Sequence, residues 1–431
     1  MIVRRSAAVL AATVVIGTAL APAAVAEGAS PSPAPAIPSG LYGTSDPTYD
    51  GVWRQSLALL AQHTVGVKPA AKAVDWLAGQ QCASGAFAAY RADAAAKCDA
   101  KTMVDTNSTS AAVQALAALG GHGGETGKAV AWLKSVQNKD GGWGYTAGGA
   151  SDANSTSVVI GALAAVGTKP ADVSKGGKLP YDALVKLSIP CGGTDGGAFA
   201  YQPDKKGKLA ANADATAAAV VGALGKGLAG EPLKPVADPL SCKAADSPQR
   251  AAQNGAAYLV KALAKDHHLT SVMPGAKNQP DYGNTADAVV ALATAGHGDK
   301  AADAMRWLET HSAQWAAQSG PPAYAQLVLA ADAATFDPRD FGGQDLVKQL
   351  NATGPAPASL PAEPTASASA SEAAKKKDDS GVSVWWIIGV GLVGGIGIGI
   401  LISARTKKQQ PGTARGGARG ACHSTARCSP A

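Results

Sequence analysis

Lys128-Ala-Val-Ala-Trp132-Leu133-Lys-Ser-Val-Gln137-Asn-Lys-Asp140-Gly141-Gly142-Trp143 decides the fold, because the chain writes it twice. The weaker copy is Lys72-Ala-Val-Asp-Trp76-Leu77-Ala-Gly-Gln-Gln81-Cys-Ala-Ser-Gly85-Ala-Phe87. Each holds Lys-Ala, an aromatic-Leu pair, a Gln four residues past the Leu, and then Gly-x-aromatic. Such self-similarity marks a structural unit that cannot bury its apolar face alone and must stack on copies of itself.

Outward from these copies, two kinds of helix alternate. One kind follows an Asp/Asn/Ser/Thr cluster and is Ala/Val/Leu on nearly every side, as in Asn107-Ser-Thr-Ser-Ala-Ala-Val-Gln-Ala-Leu116 and Asn154-Ser-Thr-Ser-Val-Val-Ile-Gly-Ala-Leu163. A helix apolar all round is enclosed, and Ser, Thr, Asp or Asn at its start is the expected cap. The other kind is amphipathic and carries Trp76-Leu77, Trp132-Leu133, Tyr258-Leu259 or Trp307-Leu308. The pattern places inner helices near 50–62, 107–119, 154–166, 214–226, 284–295 and 322–332. Outer helices fall near 69–80, 126–137, 180–187, 248–264, 299–311 and 342–350. The expectation is an all-α fold, one α6/α6 toroid over residues 45–350 with the inner helices around a central funnel.

The Lys-Ala-x-x-Trp-Leu-x-x-x-Gln-x-x-x-Gly-x-Trp pattern resembles the QW repeat of squalene–hopene cyclases and related terpene cyclases. That α/α toroid also serves protein prenyltransferase β subunits, cobalamin carriers and complement thioester domains. The resemblance is strong in two repeats, partial at Gly197-Ala-Phe199 and faint beyond. It implies the fold; it does not imply one activity, since one fold hosts many. It assigns Trp76, Gln81, Phe87, Trp132, Gln137 and Trp143 to the scaffold, with Gln137 capping the next helix start and Trp143 stacking on the Gly141-Gly142 turn.

Class II cyclases open one inner helix with Asp-x-Asp-Asp-Thr, whose middle Asp donates the proton. The matching clusters here are Asp105-Thr-Asn107-Ser-Thr109, Asp152-Ala-Asn154-Ser-Thr156, Asn212-Ala-Asp214-Ala-Thr216 and Asp281-Tyr-Gly283-Asn284-Thr285. None is complete. Asp214 alone holds the middle position, without flanking acids, and a helix N-terminus favours its charged form. Aromatic faces for carbocations are scarce too, with Trp53 and Trp315 the Trp residues left over from repeat and anchor positions. A prenyltransferase zinc site has no Asp/Cys/His set to hold it, so no metal and no cofactor is expected. His122 and His297, each beside Gly, read as helix C-caps, and His267-His268 as an isolated surface pair. The thioester reading needs Cys-Gly-Glu-Gln, whereas the chain has Cys191-Gly192-Gly193-Thr194.

The preferred reading is a binding or interaction module without catalysis. Asp105, Asn107, Asp152 and Asn154 begin two inner helices, and Asn212, Asp214, Asp281 and Asn284 begin two more. They should ring one mouth of the funnel and take a small ligand, corrinoid-like or isoprenoid, or an envelope partner. The alternatives are a degenerate terpene cyclase or prenyltransferase-like enzyme, and a structural cell-envelope protein.

The flanks are read separately. Arg4-Arg5, an apolar run to Leu20 and Ala24-Val-Ala26 form a signal peptide over 1–26. Residues 27–44 are a Pro/Ser/Ala-rich linker and 351–381 a similar stalk. The apolar run 382–403 is long enough to span a bilayer, with Trp385-Trp386 at its outer edge and the basic tail 404–431 inside. This predicts a single-pass protein of a bacterial cell membrane with its repeat domain outside. The net charge of +6 misleads: six of the 38 basic residues lie in that tail and two in the signal, leaving 30 against 32 acids. A near-neutral ectodomain makes no electrostatic case for nucleic acid. Cys82, Cys98, Cys191 and Cys242 lie outside and suggest disulfides, with three pairings open. Cys82–Cys98 and Cys191–Cys242 are expected, each flanking one long loop.

Overall fold

A computed structural model describes residues 37–236, 240–271 and 278–361. The expected signal peptide, most of the linker, the stalk beyond 361, the 382–403 span and the tail lie outside the described residues. Among those described, no helix is long and apolar enough to cross a membrane.

The described residues form thirteen α-helices: α1 (Gly51–Thr64), α2 (Ala71–Gly79), α3 (Thr106–Leu119), α4 (Gly123–Ser135), α5 (Ala153–Ala165), α6 (Pro180–Leu187), α7 (Ala213–Ala223), α8 (Pro248–Leu263), α9 (Tyr282–Thr294), α10 (Ala302–His311), α11 (Ala313–Ser319), α12 (Pro321–Ala333) and α13 (Leu346–Ala352). The apolar-all-round helices are α1, α3, α5, α7, α9 and α12. Each packs on the next, and α12 returns to pack on α1, so the six close a ring. The amphipathic helices α2, α4, α6, α8, α10 and α13 lie outside it, each against inner helices. Their Leu77, Leu133, Leu259 and Leu308 are fully buried, while the preceding Trp or Tyr lies half-buried at the rim. Burying such a Leu contributes about 2 kcal/mol, so the stripe orients every outer helix.

Boundaries differ from expectation where local chemistry intervenes. α7 stops at Ala223, three residues early, because Gly225 at φ +71° takes the chain off the helical path. α13 starts at Leu346 because Phe341 and Gln344 pair across a tight turn first. α11 was not anticipated; it is one short helix laid between α10 and α12.

The loop after each outer helix explains the repeat. Gly85, Gly141 and Gly197 all sit near φ +90°, and each meets backbone of the next outer helix or its cap. A Cβ on Gly141 would stand 2.1 Å from the Leu179 carbonyl oxygen, so a side chain is excluded as well as the conformation. Two residues on, Phe87, Trp143 and Phe199 are buried, and the indole of Trp143 donates to the Leu133 carbonyl at 2.7 Å. Their backbone N–H groups donate to Thr109, Thr156 and Thr216, at 2.9, 3.1 and 2.9 Å. Thr109 and Thr216 in turn donate to the carbonyls of the helix caps, both at 2.6 Å. Gln137 acts differently from the expected capping of the next helix start. Gln137 donates to the Gly141 carbonyl of its own loop at 2.8 Å. Gln81 bonds Gly85 in the same way and also the Glu125 carbonyl of α4.

Both disulfides pair as expected, Cys82 with Cys98 and Cys191 with Cys242. The second does not flank one loop: it spans 51 residues that include all of α7. At the seam between first and last units, Lys68 pairs with Ser359 and Gln62 donates to Asn351 at 2.6 Å.

Candidate functional site

The eight cluster residues divide into two groups. Asp105, Asp152, Asn212 and Asp281 are caps: their side chains accept the N–H of Ser108, Ser155, Ala215 and Asn284 at 2.6, 2.7, 2.8 and 3.1 Å. Asp105 and Asp152 are 3 % and 1 % exposed, so they lie inside the wall and not at an open mouth. Asn107, Asn154, Asp214 and Asn284 instead line a central cavity of about 160 Å³. The first three occupy the second helical position, which the cap geometry turns toward the ring axis.

One helical turn deeper the cavity holds two residues that the cluster pattern did not reveal, Asp287 of α9 and Gln326 of α12. Asp287 follows Gly283 by four residues and therefore shares its face. Its signal in the sequence is an acid inside a helix that is otherwise apolar all round. The rest of the wall is small or aliphatic, with Ala217, Ala218, Val221 and Val290, and Trp53 supplies an aromatic face.

The far end is closed by the loop after α7. Lys226, Gly227 and Leu228 line the cavity there. Gln114 of α3, itself buried, accepts the Leu228 N–H at 2.7 Å and donates to the Val158 carbonyl at 3.0 Å. The strap lies so close to α5 that a Cβ on Gly161 would stand 2.8 Å from the Gly227 Cα. Lys226 pairs with Glu231.

Hydrogen bonds inside the cavity follow one pattern. Asn154 Nδ2 donates to Asp214 at 2.7 Å. Gln326 Nε2 donates to both oxygens of Asp287, at 3.3 and 3.2 Å. Asn284 Nδ2 donates to Asp281 at 2.8 Å. Asn107 Oδ1, Asn154 Oδ1, Gln326 Oε1 and Ser157 Oγ are buried and have no partner.

Electrostatics reverses one expectation. The start of α7 was expected to hold Asp214 charged, yet its pKa is raised: burial dominates, the bond from Asn154 opposes it, and the charge of Asp281 adds to it. Asp287 is pushed up to about 7 by burial and then by Asp214, with Gln326 opposing. Both carboxyls present surface to the cavity but are surrounded by the ring, so desolvation outweighs the helix dipole. Burial likewise lifts Asp105 and Asp152 to about 6 against their capping bonds. Among the described residues no three His, Cys, Asp or Glu side chains converge to hold a metal ion.

The histidines follow expectation in part. His297 caps the end of α9 as expected, its backbone N–H donating to the Leu292 carbonyl at 2.8 Å, and its buried ring bonds Gln253 at 2.7 Å, whereas His122 begins α4 without a capping bond from its side chain. His268 is not isolated: it stacks on Trp307 at 4.3 Å, in a run that continues through Tyr282 to Trp315.

Three of the solved structures to which the chain is similar are these. An ent-copalyl diphosphate synthase from Streptomyces platensis is 15% identical with a TM-score of 0.45, over 66% of this chain and 50% of that one. The type II terpene cyclase MstE from Scytonema is 14% identical with a TM-score of 0.42, over 72% of this chain and 92% of that one. A protein from Actinoplanes is 14% identical with a TM-score of 0.31, over 65% and 99%. The chain thus spans half the length of the Streptomyces synthase. No family profile matches the chain, and no curated protein does.

Proposed function

We propose that the protein is a binding module without catalytic activity, whose ring interior takes one small polar ligand. In this reading the 382–403 segment holds the ring outside a bacterial membrane. One observation carries it: polar side chains from five inner helices, Asn107, Asn154, Asp214, Asn284, Asp287 and Gln326, line a single cavity whose other walls are small or aliphatic. A few convergent polar groups in a mainly apolar pocket are what orient a small bound molecule. Its volume of about 160 Å³ lies below the ~300–1,000 Å³ of pockets for drug-sized molecules, which excludes a corrinoid from the interior. The test is thermal shift of the full chain against a panel of small polyols, amines and amides, repeated with Ala218→Phe, which fills the cavity. Stabilisation by a panel member that the filled variant loses supports the reading. Stabilisation that survives the filling removes the cavity from it.

A second reading, a degenerate terpene cyclase, has its own observation: Asp287, raised to about 7, keeps a proton within reach of neutral pH beside Asp214. The cavity volume and the scarcity of aromatic wall count against it, since dry cation–π contacts of about 2 kcal/mol each are what guide a carbocation. Product analysis after incubation with isoprenoid diphosphates and polyprenols, with Asp214→Asn and Asp287→Asn as controls, decides it.

A further inference from the structure

Resting on the binding reading above, we infer that Gln114 is a positioning residue: it holds the strap 226–230 as the floor of the cavity and so limits the length of ligand that the ring interior accepts. The path of the strap carries the first part of the argument. It leaves the end of α7, and beyond the cavity it is tied to the end of α9, where Leu233 and Val236 donate to the Ala293 and Gly296 carbonyls at 3.2 and 3.0 Å. α7 and α9 are neighbours in the ring, so a path along the rim would join them. Instead the strap crosses the axis. Its Leu228 N–H reaches Gln114 of α3, and α3 stands opposite α9 in the closed ring. Two residues later the strap is against α9, where a Cβ on Gly230 would stand 2.8 Å from Val290 Cγ1.

One hydrogen bond holds the crossing. Gly230 bonds back to Gly227, and Lys226 pairs with Glu231 inside the strap. Among the described residues, the bond from Leu228 to Gln114 is the one that ties 227–230 to another helix. This accounts for a polar side chain, 3 % exposed, in a helix that is apolar all round. Both ends of its amide are in use, Nε2 on the Val158 carbonyl and Oε1 on the strap, and the two partners fix its orientation. The strap sets a depth. From Asp214 at the start of α7 to Val221 above the strap, the wall descends about 10 Å at the rise of an α-helix. A longer molecule must leave part of itself in the mouth or displace the strap. Leu in place of Gln114 keeps the volume and removes the acceptor. The Leu228 N–H, left without a partner, then turns to water, and the strap lifts from the axis.

The experiment uses the full chain with Cys422→Ser and Cys428→Ser, so that an introduced thiol is the free one beside the two disulfides. Val221→Cys places a thiol just above the strap, Ala218→Cys one turn nearer the mouth, and Val159→Cys a control thiol buried in the wall of α5. Each is labelled with methyl and with benzyl methanethiosulfonate, and the rates are read by mass spectrometry. With Gln114 in place, the methyl label should enter at both cavity thiols and the benzyl label at least tenfold more slowly at Val221→Cys. Gln114→Leu should raise the benzyl rate at Val221→Cys at least tenfold, raise it less at Ala218→Cys, and leave Val159→Cys unlabelled. Unchanged rates at the cavity thiols, with the methyl label still entering, overturn the inference and leave the cavity reading intact. A rise at Val159→Cys as large as that at Val221→Cys shows a loosened ring and also overturns the inference. No labelling of either cavity thiol, with or without Gln114→Leu, overturns both.

Discussion

Replacing Asp287 by Asn should make the protein more stable, and only above acidic pH. In the folded chain the Asp287 carboxyl is lifted from 3.8 to about 7 by burial and by Asp214. A raised carboxyl contributes its full stability below about pH 4, where it is neutral in both states, and loses it as pH rises through about 7. The rise corresponds to a ceiling of about 4 kcal/mol. The carboxyl borders a cavity that admits water, so about 1–3 kcal/mol is the expected gain for the variant at pH 8. Asn retains the shape and can still bond Gln326. A domain of this size has an unfolding entropy of roughly 0.6 kcal/mol per degree, so Tm should rise by about 2–5 °C at pH 8 and be unchanged near pH 4. Melting followed by circular dichroism at pH 4, 6 and 8 measures it. A variant less stable than the parent at pH 8, or a difference that does not vary with pH, refutes the account of Asp287 as a desolvated acid.

Three other outcomes follow from the scaffold. Gly141→Ala should cost about 2–4 kcal/mol in urea unfolding, because the φ of +91° and the Leu179 carbonyl both oppose a Cβ. Thr216→Val should cost about 1–3 kcal/mol by leaving the Phe199 N–H buried and unpaired, and Thr216→Ser should restore most of it. Replacing Cys191 and Cys242 by Ser should cost about 4 kcal/mol against about 3 for Cys82 and Cys98, since the closed loops are 51 and 16 residues. Denaturant midpoints of the two double variants rank them, and the reverse order would show that strain outweighs loop entropy.

The helices were legible because their two faces are written in different alphabets. An Ala/Val/Leu run without a polar face could only be an inner helix, and Trp-Leu pairs could only be a stripe. The second-position residues Asn107, Asn154 and Asp214 were legible as a group, since cap and second position are fixed by the same local geometry. What separates them in role is tertiary: a cap accepts from its own helix, whereas the next residue but one turns to the axis. Asp287 and Gln326 escaped notice because nothing local distinguishes an acid that faces a cavity from one that breaks a pattern. The strap at 226–228 is Gly-rich coil without periodicity, and its position depends on Gln114, more than a hundred residues away. The behaviour of Asp214 turned on the balance of helix dipole against desolvation, which only the enclosed ring could decide.

The pairing of Lys68 with Ser359 and of Gln62 with Asn351 has a further consequence. A stacked row of repeats has two ragged ends from which it can unravel, so its units melt in succession. A circle has no outermost unit. Every inner helix has a neighbour on both sides, so loosening one exposes two interfaces at once, and unfolding should occur as one event. The same geometry makes the order of units arbitrary: a chain joined across residues 37 and 361 and reopened in the exposed loop near Lys205 should rebuild the same ring, with the cavity still at its centre.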